Sequence, residues 1–118
     1  MKLSGVELFA ALEDTSNMLD ITLENEWEAG IALAAAEEKY QVAITQEALK
    51  QKDAGNNATF INSFIRGVDE IARLRKERDI AEVKYKTFQD KANALKLQLR
   101  IINDQISREW AGRASDSL

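Results

Sequence analysis

Apolar residues in the second half of the chain return on alternating steps of three and four. The series runs Phe64, Ile71, Leu74, Ala81, Tyr85, Phe88, Ala92, Leu95, Leu99, Ile102 and Ile106, with Gly67 and Arg78 filling two of its steps. A mean step near 3.5 residues is the seam of coiled-coil packing, and it predicts a long helix over 69–111. A second stripe, Ile61, Ile65, Val68 and Ala72, widens the apolar face at its start, and Leu97 and Ile101 widen it again near its end. A face that wide calls for more than one neighbouring helix.

The first half is less regular. Leu8, Leu12, Leu19, Leu23, Trp27, Ile31, Ala34, Tyr40, Ile44 and Ala48 recur at helical intervals and predict an arm over 5–53. "IALAAAEE" (31–38) offers small residues where another helix can come close. Asp14-Thr15-Ser16-Asn17 is a weak spot, because these side chains compete for backbone hydrogen bonds. The rhythm continues through it, so a kink at most is expected.

Between the arms lies "KDAGNNATFINSFIRGVDEIA" (52–72), with two glycines, two adjacent asparagines and two phenylalanines. Gly55 suits a helix C-terminus, since glycine takes φ > 0 without steric cost. Asn56 and Asn57 favour a turn, and Asn57 or Thr59 can cap a new helix. Apolar residues at 60, 61, 64 and 65 then predict a short corner helix over 59–66. Gly67 interrupts it, and Asp69 is positioned to cap the next segment. The corner is apolar because it covers the open end of the hairpin.

The reading is therefore all-α: one domain over 1–118, a long antiparallel helical hairpin with a short corner helix and a flexible tail over 112–118. Arms of roughly 45 residues would each span ~65 Å. Folded back, they bring Phe9 and Leu12 near Trp110, Leu49 near Ile71, and Arg78 within a turn of Glu37 and Glu38. A long thin hairpin buries little by itself. The seam residues Phe64, Ile71, Leu74, Tyr85, Phe88, Leu95, Leu99, Ile102 and Ile106 thus predict assembly into an oligomeric bundle, a dimer or tetramer.

Composition removes whole classes of chemistry. The 118 residues include no Cys, no His and no Pro. Without Cys there is no disulfide, thiol nucleophile or iron–sulfur ligation. Without His the usual general base near neutral pH and the commonest metal ligand are missing. Glu24, Glu28 and the Glu37-Glu38 pair lack the histidines of carboxylate-bridged metal bundles, and no EF-hand spacing occurs. No phosphate-cradling glycine motif is present. An enzyme, a cofactor and a metal are not expected. The N-terminus does not read as a signal peptide and no apolar run reaches bilayer length, so the expectation is a cytoplasmic protein with no membrane partner.

Charge is divided between the arms. Residues 1–49 carry ten acids and two bases, net −8, and residues 50–118 carry fourteen bases and ten acids, net +4. Arms of opposite sign are expected to lie together. Arg73, Lys76, Lys84 and Lys91 fall along one face of the second arm and form a possible nucleic-acid face. Asp69–Arg73 and Glu82–Lys86, four residues apart, also account for these charges as helix-stabilising pairs. The acidic first arm could instead act as a decoy for a DNA-binding channel. Arg78, charged within the seam, needs a partner across it, and Glu37 or Glu38 is expected to supply one.

Residues 38–110 carry Tyr40, an "AG" turn, "ATFI", "RG" followed by "EIA", "RLRKERDIAE", Tyr85 and "NALKLQLRI". In these the chain resembles small helical proteins of phages and prophages, often found among recombination and replication genes. The resemblance implies a setting rather than a reaction: a non-enzymatic adaptor that self-associates and binds a protein of the recombination or replication machinery. The alternatives are an acidic, DNA-mimicking inhibitor of a host nuclease or defence complex, and direct nucleic-acid binding through the basic face.

Overall fold

The computed structural model describes residues 4–116, which form three helices: α1 (Gly5–Asp53), α2 (Ala58–Arg66) and α3 (Asp69–Asp116). There is no strand among them. Helix α1 runs unbroken through Asp14–Asn17. Helix α2 begins one residue before the expected start. Helix α3 continues to Asp116 instead of yielding to a tail at 112, because a single Gly112 costs a helix only about 1 kcal/mol and no proline follows it. Positions 117–118 of the expected tail lie outside the described residues.

Helix α1 opens with a reciprocal cap. The Ser4 N–H donates to Glu7 Oε2 (2.9 Å), and the Glu7 N–H donates to Ser4 Oγ (3.3 Å). This Ser-x-x-Glu box satisfies two backbone donors that the first turn leaves without helical partners.

The corner follows from its sequence. At the end of α1 the Gly55 N–H reaches the Lys52 carbonyl (3.0 Å) and the Asn56 N–H reaches that of Gln51 (3.1 Å). These are the two bonds of a Schellman cap, and Gly55, at φ +88°, takes the left-handed conformation the cap requires. Asn57 then caps α2, its side-chain oxygen accepting from the Phe60 N–H at 2.8 Å. The start of α3 differs from expectation. The Ala72 N–H bonds to the Val68 carbonyl (2.9 Å), so Val68 occupies the cap position. Asp69 lies one residue further in, where it and Glu70 place negative charge at the positive end of the helix.

Both long helices bury two rows of seven-residue period. On α3 the rows are Ile71, Arg78, Tyr85, Ala92, Leu99, Ile106 and Leu74, Ala81, Phe88, Leu95, Ile102, Glu109, every one buried or half-buried. On α1 they are Leu8, Thr15, Thr22, Ala29, Ala36, Ala43 and Leu12, Leu19, Glu26, Leu33, Tyr40, Glu47, again all buried or half-buried. The α1 seam therefore departs from the stripe its large apolar residues trace. Leu23, Trp27, Ile31 and Ala34 are exposed, and the small residues Thr22 and Ala29 take the interior. Thr22 is tolerated there because its hydroxyl donates to the Met18 carbonyl at 2.8 Å.

The chain divides into two compact units, one of residues up to Glu26 with those from Thr87 onward, the other of Trp27–Lys86. In the first, Leu8, Thr22, Ala92 and Leu95 are buried, and Phe9 and Gly5 share a cleft of about 20 Å³ with Ile106, Glu109 and Trp110. In the second, Ile61, Ile65 and Ile71 form a core cluster against which Tyr40, Ala43, Ile44, Ala48 and Val68 pack. Within this unit the α1 and α3 segments run antiparallel, since Gly30 meets Tyr85, Glu37 meets Arg78 and Ile44 packs near Ile71. The Cβ that an alanine would add at Gly30 falls 3.2 Å from Tyr85 Cε2, so the glycine admits the ring. Leu49, expected beside Ile71, is exposed, and Ile44 and Ala48 hold that place because they face α2.

Candidate functional site

No helix of the described residues is long and apolar enough to cross a membrane, and they contain no cluster of three or more metal-ligating side chains. The features left to carry function are the seam charge, the basic row and the apolar side chains outside the seams.

Arg78 lies half-buried on α3, where its row of large side chains is otherwise apolar. Its guanidinium sits 4.5 Å above the Tyr40 ring, with Nε 3.5 Å from Glu37 Oε2 and Nη2 2.9 Å from Asp79 Oδ1. The hydrogen bond that the guanidinium donates to Asp79, then the charges of Asp79 and Glu37, hold its proton more firmly than usual against the opposing effect of desolvation. The carboxylate that meets it from α1 is Glu37; Glu38, one residue on, is exposed. The pair is partly open to water, so about 0.2–1 kcal/mol is expected from it. A double-mutant cycle of Arg78→Ala with Glu37→Ala should show coupling of that size. The same cycle with Glu38→Ala should be additive, and equal coupling to both would displace Glu37 as the partner.

Of the basic row, Arg73, Lys76, Lys84 and Lys91 are all exposed on α3. Arg73 is already held by carboxylates on its own helix: Nη2 is 2.9 Å from Glu70 and Nη1 2.7 Å from Glu77. Their hydrogen bonds and charge raise its pKa further, with Glu70 the larger cause. Lys86 is engaged likewise, 2.8 Å from Glu82. A phosphate would have to displace Glu70 and Glu77 to reach Arg73.

The seam set divides by burial. Ile71, Leu74 and Leu95 are buried, and Tyr85, Phe88, Leu99, Ile102 and Ile106 are half-buried. Phe64 does not join them. It stands 42% exposed on α2, stacked on Phe60 with ring centroids 5.6 Å apart. The reason is angular. Ile61 and Ile65 face the core, and Phe60 and Phe64 each precede one of them by one residue, about 100° round the helix.

Large apolar side chains also stand opposite the seams, where sequence reasoning did not place them. On α1 Trp27 is 68% and Ile31 51% exposed; on α3 Ile80 is 58% and Val83 65% exposed. Trp27 and Ile31 fall on the helical stripe that the large apolar residues of the first arm trace, which gives small side chains no weight. The seven-residue spacing of Thr15, Thr22, Ala29, Ala36 and Ala43 is the signal that sets the phase correctly.

No family model, no curated protein and no solved structure matches the chain.

Proposed function

We propose that the protein is a non-enzymatic helical adaptor that self-associates and binds a second protein. The observation that carries this reading is the set of large apolar side chains left outside satisfied seams, with Trp27 as the most exposed aromatic among the described residues. Scattered single apolar residues are ordinary on a surface. Trp27 and Ile31 at i, i+4 on one helix, and Ile80 and Val83 at i, i+3 on the other, are the spacings with which one helix meets another. The partner's class, a protein of recombination or replication, is carried by the resemblance of residues 38–110 to phage proteins. The exposed, stacked Phe60 and Phe64 on the corner helix are the surface assigned to it. Direct nucleic-acid binding is the weaker reading, because Arg73 is occupied by Glu70 and Glu77. Light scattering at micromolar concentration should return a mass above that of one 13.3 kDa chain. A monomer mass at every concentration would remove self-association. A DNA complex at physiological salt that is lost on Arg73→Glu would replace the adaptor with a nucleic-acid binder.

A further inference from the structure

Within the Trp27–Lys86 unit, the seams of α1 and α3 face each other through Gly30–Tyr85 and Glu37–Arg78. The outer face of α1 and the outer face of α3 therefore point away from each other. Each bears an apolar pair, and the flanking charges differ in sign. On α1, Glu28 follows Trp27 and Glu38 stands two turns past Ile31, both exposed, and Lys39 is the one base of 27–39. On α3, Ile80 and Val83 lie between Lys76 and Lys84, also exposed, and among the described residues neither lysine is in an ion pair of the kind that occupies Arg73 and Lys86. Arg75 adds a further positive charge on the α3 side; Asp79, the acid nearby, is committed to Arg78, as is Glu37 on α1.

We infer that the α1 outer face of one copy docks on the α3 outer face of a second copy, Trp27 and Ile31 packing on Ile80 and Val83, with Glu28 and Glu38 set against Lys76 and Lys84. This rests on the self-association proposed above and names its geometry. Apolar pairs one helical turn apart on each face supply the contact, and charges of opposite sign select the α3 face over a second α1 face. Because the two faces differ, the contact is heterologous. Each copy that uses its α1 face keeps its α3 face open, so assembly adds copies head to tail and stops only where a ring closes.

Charge reversal tests this. Glu28→Lys/Glu38→Lys makes both outer faces basic, and Lys76→Glu/Lys84→Glu makes both acidic. All four positions are exposed, so circular dichroism should show both variants folded. Sedimentation velocity should show each variant alone as a monomer at concentrations where the native chain is assembled. An equimolar mixture should regain the native mass, because each variant then meets its complement. Trp27→Ser, which leaves the charges in place, should weaken assembly by roughly tenfold or more. Native-like assembly of either reversed variant alone, or a mixture that stays monomeric, overturns this pairing while self-association stands. A native chain that is itself monomeric at all concentrations overturns both.

Discussion

Leu95→Asp is expected to unfold the protein at ambient temperature. Leu95 is 5% exposed, one turn from Ala92 at 2%, in the best-buried stretch of the α3 seam. The substitution removes a buried leucine, worth about 2–5 kcal/mol, and takes a carboxylate out of water at a position that is apolar in the native chain. The sum is comparable to the whole stability of a small domain, roughly 5–15 kcal/mol. Leu97→Asp provides the comparison. Leu97 is two residues away, apolar, and 54% exposed, so the same change should move stability by less than about 0.5 kcal/mol. Urea titrations followed by far-ultraviolet circular dichroism read both. Equal destabilisation by the two variants would mean that the outer face of α3 is as dry as its seam, and the phase assigned to the helix would have to be abandoned.

The burial of Leu95 is legible in the sequence; the exposure of Leu97 is not, since its size alone places it on a widened seam. Along α3 the seam positions hold Ile, Leu, Tyr, Phe and Leu, so size and period give the same answer. Along α1 they disagree. Large apolar residues trace Leu23, Trp27, Ile31 and Ala34, whereas the helix buries Thr22 and Ala29 and half-buries Leu33 and Ala36. A residue such as Gly30, against which Tyr85 closes to 3.2 Å from an added Cβ, reads as a weak helix former until its neighbour is known. Small residues carry no hydrophobic signal by themselves; they become interior because a large side chain on the other helix fills the space above them. The corner was more readable because its bonds are local. Gly55 and Asn57 act through backbone groups within five residues, so chain spacing alone fixes their roles. Asp69 stands one position inside the cap, within the margin by which helix starts depend on hydrogen-bond detail.

Burial at α1 also bears on what the exposed face can do. The buried rows of α1 set Leu8, Leu12, Leu19, Leu33 and Tyr40 among alanines and threonines and include neither Trp27 nor Ile31, so these two are not borrowed from the core. Truncating them should cost little of the fold. That separation between residues that hold the unit and residues that face outward makes the assembly experiments readable, because loss of association need not imply loss of structure.

Ile71→Ala is expected to have the second largest effect, and to act first on α2. Ile71 is 2% exposed and joins Ile61 and Ile65 of α2 to the Tyr40–Ala48 face of α1. Helix α2 has nine residues, too few to persist without tertiary packing, so it depends on this cluster and on the Asn57 cap. Removing the side chain beyond Cβ should cost about 2–5 kcal/mol, with the upper end reached if the isoleucines of α2 fail to close over the gap. Amide hydrogen exchange should then accelerate in 58–66 before it does in α1 or α3, since the short helix loses the largest share of its contacts. Ile65→Ala should have a similar cost, and the double variant should cost less than the two together, because both remove the same contact. Phe64→Ala truncates a larger side chain on the same helix, yet Phe64 is 42% exposed and its ring contact is with Phe60, so a loss under about 1 kcal/mol is expected. If Phe64→Ala destabilised the protein more than Ile71→Ala, α2 would be docked by its phenylalanine face, and the surface assigned here to a partner would be part of the core.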